Sequence, residues 1–374
     1  MIAALGAIGI DIRPRDEATT LVVAGQGGRI PATAANLYIA NSGTSVRFLT
    51  AMLTLGRGTY RLDGTPRMRQ RPIADLLAAL RPWGGDVVCE AGGDCPPVTV
   101  RANGLAGGET TVGGSISSQY LSGMLMAAPY TAAPAVIAVD GELVSRPYVD
   151  MTLAVMRSFG VEVDEPAEGR FEVPTATYRG CEYDIEPDAS AASYFFAAAA
   201  ITGGEVTVQG LSAEALQGDV GFVDVLERMG CRVVRHDDRI TVRGGELRGV
   251  VVDMNGISDT VQTLGAVALF AEGPTTITGV AHIRHKETDR IAALATELRK
   301  LGAEVDELDD GLRITPGRSR WAEIDTYDDH RMAMSLALAG LRIPGVVIRE
   351  PQCTEKTYPR FFDDLGQICH PPQS

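Results

Sequence analysis

Hydrophobic and polar positions along this chain fall into two alternating regimes. Stretches with apolar residues at helical spacing end on a glycine and are followed by a short run rich in β-branched residues, as in Leu298-Arg299-Lys300-Leu301-Gly302-Ala303-Glu304-Val305 and Leu5-Gly6-Ala7-Ile8-Gly9-Ile10-Asp11-Ile12. The glycine reads as a helix C-cap and the run as a strand. Gly9, Gly84, Gly160, Gly230 and Gly302 hold this place in successive copies separated by about 72 residues, a spacing that marks a repeated supersecondary unit rather than a short solenoid. Gly366, in a helix-like context with no strand-like run behind it, closes the series.

A second feature keeps the same step. A polar cap followed by small apolar residues predicts helices starting near Thr44, Ser117, Ala189, Asp259 and Asp329. Each unit then reads as β-α-β-α-β-β, and six units divide into two domains of three, residues 1–183 and 184–374. The fold class is α/β, in the α+β sense. Glycine caps outnumber polar-capped helices by one, so the first unit reads as incomplete, its front lying upstream of Met1. The last unit runs through Leu365-Gly366-Gln367 to Pro371-Pro372 without a final strand, which a symmetric design would draw from that upstream segment.

Composition narrows the function. A chain of 374 residues, 45% hydrophobic and 22% charged, is too long for one ordinary core and suits an enzyme of two globular domains. A formal charge of -14 supplies no field to attract nucleic acid or an anionic membrane, so an anionic small molecule must be held by local basic clusters. The six cysteines, Cys89, Cys95, Cys181, Cys231, Cys353 and Cys369, form no C-x-x-C pair, which argues against a zinc site or disulfide framework and fits a reducing cytoplasm. His282-x-x-His285 lacks a further ligand at familiar spacing, so no metal is expected. The apolar start Ile2 to Ile12 has no basic region before it, and the uncharged run Leu121 to Val139 is broken by Pro129 and Pro134, so neither reads as a signal or a membrane span.

The predicted helix starts carry the chemistry. Asn41-Ser42-Gly43-Thr44, Ser115-Ile116-Ser117-Ser118-Gln119, Asp188-Ala189-Ser190, Ser258-Asp259-Thr260 and Asp328-Asp329-His330-Arg331 each place free amides and a positive dipole end where phosphate or carboxylate could bind. Small residues behind them, Ala197 to Ala200, Ala333 and Ala337, let the helices lie close. Ordinary N-capping explains any one of these ends equally well. Less ordinary are Arg290, His330 and Arg331 in first turns, where the dipole repels cations, and a bridging anion would account for them. Arg71 repeats the oddity if Pro72 is the first residue of a helix running to Leu80, with Arg67 and Arg69 leading into it; a solvated charge run is the alternative.

Motifs then point to one family. Asn41-Ser42-Gly43-Thr44-Ser45-Val46-Arg47, Gly64-Thr65-Pro66-Arg67-Met68-Arg69-Gln70-Arg71-Pro72-Ile73, Ser115-Ile116-Ser117-Ser118-Gln119-Tyr120 and Leu143-Val144-Ser145-Arg146-Pro147-Tyr148 resemble signatures of the 5-enolpyruvylshikimate-3-phosphate synthases. Glu186-Pro187-Asp188-Ala189-Ser190, Lys286-Glu287-Thr288-Asp289-Arg290, Asp329-His330-Arg331-Met332-Ala333-Met334 and Cys353-Thr354-Glu355-Lys356-Thr357-Tyr358-Pro359 extend the resemblance in order and spacing to about residue 368. It implies two similar domains of three β-α-β-α-β-β units, the inside-out barrel of the enolpyruvyl transferases, with the active site in the cleft between them.

What the resemblance implies about substrates is specific. Shikimate 3-phosphate would be held by Ser117, Ser118, Ser145, Asp259 and Lys286, with Tyr148 beside them and His282, where many members carry asparagine, near the phosphate. Phosphoenolpyruvate would be held at the Gly43 backbone by Arg71, Gln119, Arg290, Arg331 and Lys356, the arginine forks suiting its carboxylate and phosphate. Asp259 would be the base at the attacking hydroxyl and Glu287 the acid and base at the methylene carbon, flanked by Lys286 and His330; capping is the alternative reading of Asp259 and Glu287, and a satisfied polar interior that of His330. No metal or organic cofactor is implied, and a monomer is the expected state.

One departure matters. The family's opening proline-glycine-serine-lysine-serine turn, whose lysine touches both substrates, has no counterpart here and would fall where the repeat is short of a helix. An inactive remnant, an upstream start codon and a related transferase acting on a UDP-amino sugar, usually marked by a reactive loop cysteine, are the rival readings. Phosphate release from phosphoenolpyruvate plus shikimate 3-phosphate is expected to be absent in the 374-residue chain and restored by an upstream extension of roughly 50 residues; robust turnover without it would refute the expectation.

Overall fold

The structure, a computed structural model, describes residues 1–90 and 92–369. Pro371 and Pro372 lie outside the described residues. The chain divides into two compact units, Met1–Asp184 and Ile185–Ser374.

In the first unit, α1 (Ile2–Ala7) leads through Gly9, at φ +91°, into an antiparallel hairpin of Ile12–Arg15 with Thr20–Val23. A complete repeat follows: strand Ala34–Tyr38, α2 (Gly43–Leu53), strand Arg57–Asp63, α3 (Ala74–Leu80), then strands Asp86–Cys89 and Val98–Asn103. The first two strands pair in parallel, as a helical crossover requires, and the fourth inserts antiparallel between the second and third. The same order recurs in Gly108–Gly113, α4 (Ser118–Ala127), Ala135–Asp140, α5 (Arg146–Ser158), Asp164–Ala167 and Arg170–Val173. Helices α2 and α4 pack closely because Gly123 faces α2; a Cβ there would stand 3.3 Å from the Arg47 carbonyl. Trp83, Tyr60, Tyr120 and Phe171 fill the core, with Trp83 Nε1 donating to the Gly108 carbonyl at 2.9 Å and Tyr60 to that of Ala32 at 2.7 Å.

The second unit opens on α6 (Ala189–Thr202), strand Glu205–Gln209, α7 (Phe222–Arg228) and strands Arg232–Arg235 and Arg239–Arg243. The sheet of this repeat has three strands, and the segment before α6 forms none; there the Glu186 carboxylate accepts the amide of Leu216. The fifth repeat is complete: Val251–Asp253, α8 (Val261–Ala268), Thr275–Thr278, α9 (Arg290–Lys300), Glu304–Leu308 and Gly311–Thr315. The sixth contributes Glu323–Ile324, α10 (His330–Ala337) and the parallel strand Val347–Ile348, before α11 (Phe361–Cys369), which contains Gly366. Every residue of α8 is buried between α6 and α10. Ser193, Thr263 and Ser335, at matching places on the three helices, link hydroxyls across their contact at 3.1 and 3.2 Å. Among the described residues no helix is long and apolar enough to cross a membrane.

Two helix starts differ from the expectation. Pro72 is not the first residue of a helix; α3 begins at Ala74 behind Ile73, so Arg71 stands in the preceding extended link and not in a first turn. Asp259 is not a cap either. It lies in a 3₁₀ stretch, Asn255–Thr260, and the first residue of α8 follows Thr260 with no side-chain cap bond, because the Asp259 carboxylate is engaged by cations.

The predicted glycine caps Gly84, Gly160, Gly230 and Gly302 all have positive φ. They should not be equally sensitive. A Cβ on Gly84 meets nothing within 4 Å, whereas one on Gly302, at φ +104°, would stand 2.2 Å from the Arg318 carbonyl. Gly84→Ala should cost about 1 kcal/mol from backbone strain alone, and Gly302→Ala roughly 3 kcal/mol or more. Urea unfolding of the two variants checks the order.

Candidate functional site

The candidate residues fall into two groups, one on each unit. In the first unit they gather where α2 and α4 begin. Ser42 caps α2 by accepting the Ser45 amide at 3.2 Å, and Ser117 caps α4 by accepting that of Gln119 at 3.3 Å. The Gln119 carboxamide is fixed from both sides: Arg47 Nη1 donates to its Oε1 at 2.8 Å, and its Nε2 donates to Thr44 at 3.0 Å. Arg71 is 3% exposed and donates to the Asn41 carbonyl at 3.0 Å, which lays its guanidinium along Gly43. A Cβ on Gly43 would sit 2.4 Å from Arg71 Nη2, so only glycine leaves both the arginine and the first amides of α2 in place. Ser118 is buried behind its cap. Ser145 precedes α5 at φ +56°, a left-handed conformation unusual for serine, and Tyr148 lies in the first turn, its carbonyl accepting from Thr152 at 2.8 Å.

The second unit holds a layered ion-pair cluster. Arg290, with a side chain 2% exposed, is at its centre. Its Nε donates to Asp329 at 2.8 Å, Nη1 to Asp259 at 3.1 Å, and Nη2 to Glu287 at 2.9 Å. The other oxygens of two of these carboxylates face an outer layer of cations: Arg331 Nη2 is 2.7 Å from Asp259, and Lys356 is 2.7 Å from Glu287. Lys286 stands 3.8 Å from Asp259. Exposure rises outward, from 2% at Arg290 to 13% at Arg331, 20% at Lys286 and 33% at Lys356. The first-turn cations therefore have an anion, but it is the protein's own Asp259, which bridges Arg290 and Arg331.

Local structure explains the convergence. Asp329 caps α10 by accepting the Arg331 amide at 2.9 Å, while Asp289 caps α9 and leaves Arg290 as its first residue. Tyr327 and Asp328, both at positive φ, turn the chain into α10, and Tyr327 is anchored by donating to the buried Glu297 at 2.6 Å.

Electrostatics sets the protonation states. Burial would raise the pKa of Asp259, but Arg331, Lys286 and Arg290 overcome it and hold the carboxyl well below the usual carboxylate range. Burial lowers that of Arg290, and Asp329, Glu287 and Asp259 more than restore it. Burial, reinforced by Lys286, pushes His282 down to about 4; burial and Arg331 push His330 down to about 3. At neutral pH both imidazoles are uncharged, so any influence of His330 on Glu287 is that of a neutral group beside a carboxylate already bound by Lys356 and Arg290.

Asp329 as the two-pronged partner of Arg290, Arg47 as the anchor of Gln119, and Tyr194, whose hydroxyl takes Arg331 Nη1 at 3.3 Å, were missed from sequence. For Asp329 and Arg47 the signal is present, since both lie inside motifs of the family, Asp329-His330-Arg331 and Asn41 to Arg47; Tyr194 sits in an apolar helix with nothing to mark it.

The EPSP synthase family (3-phosphoshikimate 1-carboxyvinyltransferase) matches residues 1–365. A 3-phosphoshikimate 1-carboxyvinyltransferase of Nostoc punctiforme is 48% identical over 363 residues, 96% of this chain and 85% of that protein. One from a Marinomonas species is 46% identical over 373 residues, 99% of this chain and 88% of its own. Among solved structures, EPSP synthase from Acinetobacter baumannii matches with a TM-score of 0.77 at 25% identity, covering 98% of this chain and 86% of that one. The enolpyruvyl transferase NikO from Streptomyces tendae matches in fold, with a TM-score of 0.74 at 20% identity. The repeats and these likenesses define an α/β protein of the enolpyruvyl transferase class. Within it, the chain belongs to the EPSP synthase family.

The neutral histidines give a pH test. Their folded pKa values lie below the unfolded value of about 6.5, so the unfolded chain binds more protons as pH falls, and the stability they contribute is full above about 6.5 and lost toward about 4 for His282 and about 3 for His330. Between pH 7 and pH 5 the loss should be on the order of 2 kcal/mol for each histidine. Urea unfolding at the two pH values should show it, and His282→Gln should remove about half.

Proposed function

We propose that the chain transfers the 1-carboxyvinyl group of phosphoenolpyruvate to the 5-hydroxyl of shikimate 3-phosphate, releasing phosphate, in the biosynthesis of aromatic amino acids. The family match supports the reaction, and the layered cluster around Arg290 is the observation that carries the roles of the residues. Arg331 and Lys356 are cations a dianion can reach, and they stand ready to exchange Asp259 and Glu287 for a substrate carboxylate and phosphate. Arg290 joins them by giving up its 3.1 Å contact with Asp259. Gly43, Arg71 and Gln119 complete the phosphoenolpyruvate contacts, and Ser117, Ser118, Ser145, Tyr148, His282 and Lys286 take shikimate 3-phosphate.

The exchange also makes the bases. A carboxylate held low by three cations is a poor proton acceptor, and it regains basicity when a substrate anion draws those cations off. Glu287, once Lys356 has turned to the substrate and it has taken up a proton from solvent, delivers that proton to the enol methylene; the 5-hydroxyl adds to the resulting cationic carbon and its proton passes to Asp259. Glu287 then recovers a proton from the new methyl group as the carbon–oxygen bond to phosphate breaks, and the proton held by Asp259 leaves with the phosphate as hydrogen phosphate. The same reading takes the protein as a monomer and places it in a reducing cytoplasm, which the six free cysteines suit.

Phosphate release with shikimate 3-phosphate as acceptor and UDP-N-acetylglucosamine as control tests the reaction, in the chain itself and in one extended upstream; acceptor-independent release, or none in either form, would refute it. In the form that turns over, Asp259→Asn and Glu287→Gln should each lower kcat by roughly 10²–10⁴-fold. Asp259→Asn should bind phosphoenolpyruvate at least as tightly as the parent, because Arg331 no longer has an internal competitor; titration calorimetry reads this directly.

A further inference from the structure

Around the start of α6 lies a group of polar contacts that the reaction above does not use. The segment Gln217-Gly218-Asp219 is laced to it: Gln217 Oε1 accepts the amide of Ala189 at 2.9 Å, and Gln217 Nε2 donates to the Pro187 carbonyl at 2.7 Å. Asp219, 3% exposed in a short 3₁₀ turn (Gly218–Gly221), accepts the hydroxyl proton of Ser190, itself 7% exposed. We propose that Asp219 is a positioning residue for phosphoenolpyruvate binding, acting through Ser190 on the guanidinium of Arg331.

The argument is one of polarity. A serine hydroxyl has one proton to give. Left alone, it could turn that proton toward Arg331 and repel the guanidinium. With the proton committed to Asp219, Ser190 Oγ presents only lone pairs outward, and Arg331 Nη2 lies 3.5 Å away on that side. Tyr194 takes Nη1 at 3.3 Å, and Asp259 takes Nη2 at 2.7 Å. Of these three holders Asp259 is the one a substrate anion displaces. Once it is displaced, Ser190 and Tyr194 still hold the guanidinium toward the ligand, and Ser190 can do so only while Asp219 fixes the direction of its proton. The exposed fork then keeps its orientation through the exchange.

This inference rests on the reading that Arg331 holds phosphoenolpyruvate, and the test separates the two. Dissociation constants for phosphoenolpyruvate and for shikimate 3-phosphate are measured by calorimetry on the parent, Arg331→Ala, Asp219→Asn, Ser190→Ala and the Asp219→Asn/Ser190→Ala pair. Asp219→Asn keeps the shape but lets the amide donate to Ser190, so it should weaken phosphoenolpyruvate binding about tenfold. Ser190→Ala should do the same, the pair should be no worse than either alone, and shikimate 3-phosphate affinity should hold. Asp219→Asn within twofold of the parent, while Arg331→Ala is impaired, overturns the positioning role and leaves the function standing. An equal loss for both ligands marks a merely structural residue and overturns it too. Unimpaired binding by Arg331→Ala, or a parent that binds no phosphoenolpyruvate, overturns the reading of Arg331 and the inference with it. If Asp219→Asn does not fold, Ser190→Ala decides: unchanged phosphoenolpyruvate affinity refutes the proposal.

Discussion

An arginine side chain only 2% exposed to water, that of Arg290, is the constraint on which the second unit's ion-pair cluster depends. Removing a charge of that size from water costs several kcal/mol even after relaxation, and the cost is offset only if nearly every donor is satisfied with good geometry. Arg290 meets this with three carboxylates drawn from three places in the chain. Three carboxylates around one cation would leave a buried negative excess, and that excess is what Lys286, Arg331 and Lys356 answer from outside. The order of layers, cation then carboxylates then cations, is thus forced from the centre outward. A substrate that meets the outermost layer meets cations.

The repeat is what makes such a centre possible. Each copy delivers the beginning of a helix to a matching position, and α8, buried on every side, holds its neighbours α6 and α10 in register through the Ser193, Thr263 and Ser335 hydroxyls. With the helices fixed, their first residues converge: Asp329 and Arg331 from the sixth repeat, Asp259 and Arg290 from the fifth, Ser190 and Tyr194 from the fourth. Helix N-termini favour anions, and the protein has filled them with aspartates that cap or pair while seating cations beside them. The unfavourable position of Arg290 and Arg331 against the dipole is offset by carboxylates in direct contact, Asp329, Asp259 and Glu287 on Arg290 and Asp259 on Arg331.

Much of this was legible along the chain. Glycines that cap helices must adopt positive φ, so their spacing survives any change of side chain around them, and Gly84, Gly160, Gly230 and Gly302 revealed the unit's length. First-turn cations were legible for the opposite reason, since they break a local rule and so imply a partner. The identity of the partner was not. A ligand anion and the carboxylate of Asp259 satisfy the same rule, and nothing local says that a residue 31 positions away will reach Arg290. Helix starts slipped where tertiary contacts outweighed capping propensity, as when Asp259 gave its carboxylate to two arginines instead of to the amides of α8. Asp219 and Tyr194 carry no local signal at all, because their meaning is their burial beside Ser190 and Arg331.

On the proposed reading, Asp259 and Glu287 would have two consecutive tasks rather than one. Without substrate they neutralise Arg331 and Lys356, which lets four cations stand together without mutual repulsion splaying the site. With substrate, on that reading, the same cations would turn to its anionic groups, and the released carboxylates would be left beside the reacting atoms with their basicity restored. A carboxylate at a neutral pocket would be basic at all times and would leave the arginines unpaired between turnovers. Under the proposed exchange basicity would appear only when the anion that needs it has arrived, so the ion pairs that join these carboxylates to their cations would also delay proton transfer until the substrate is bound.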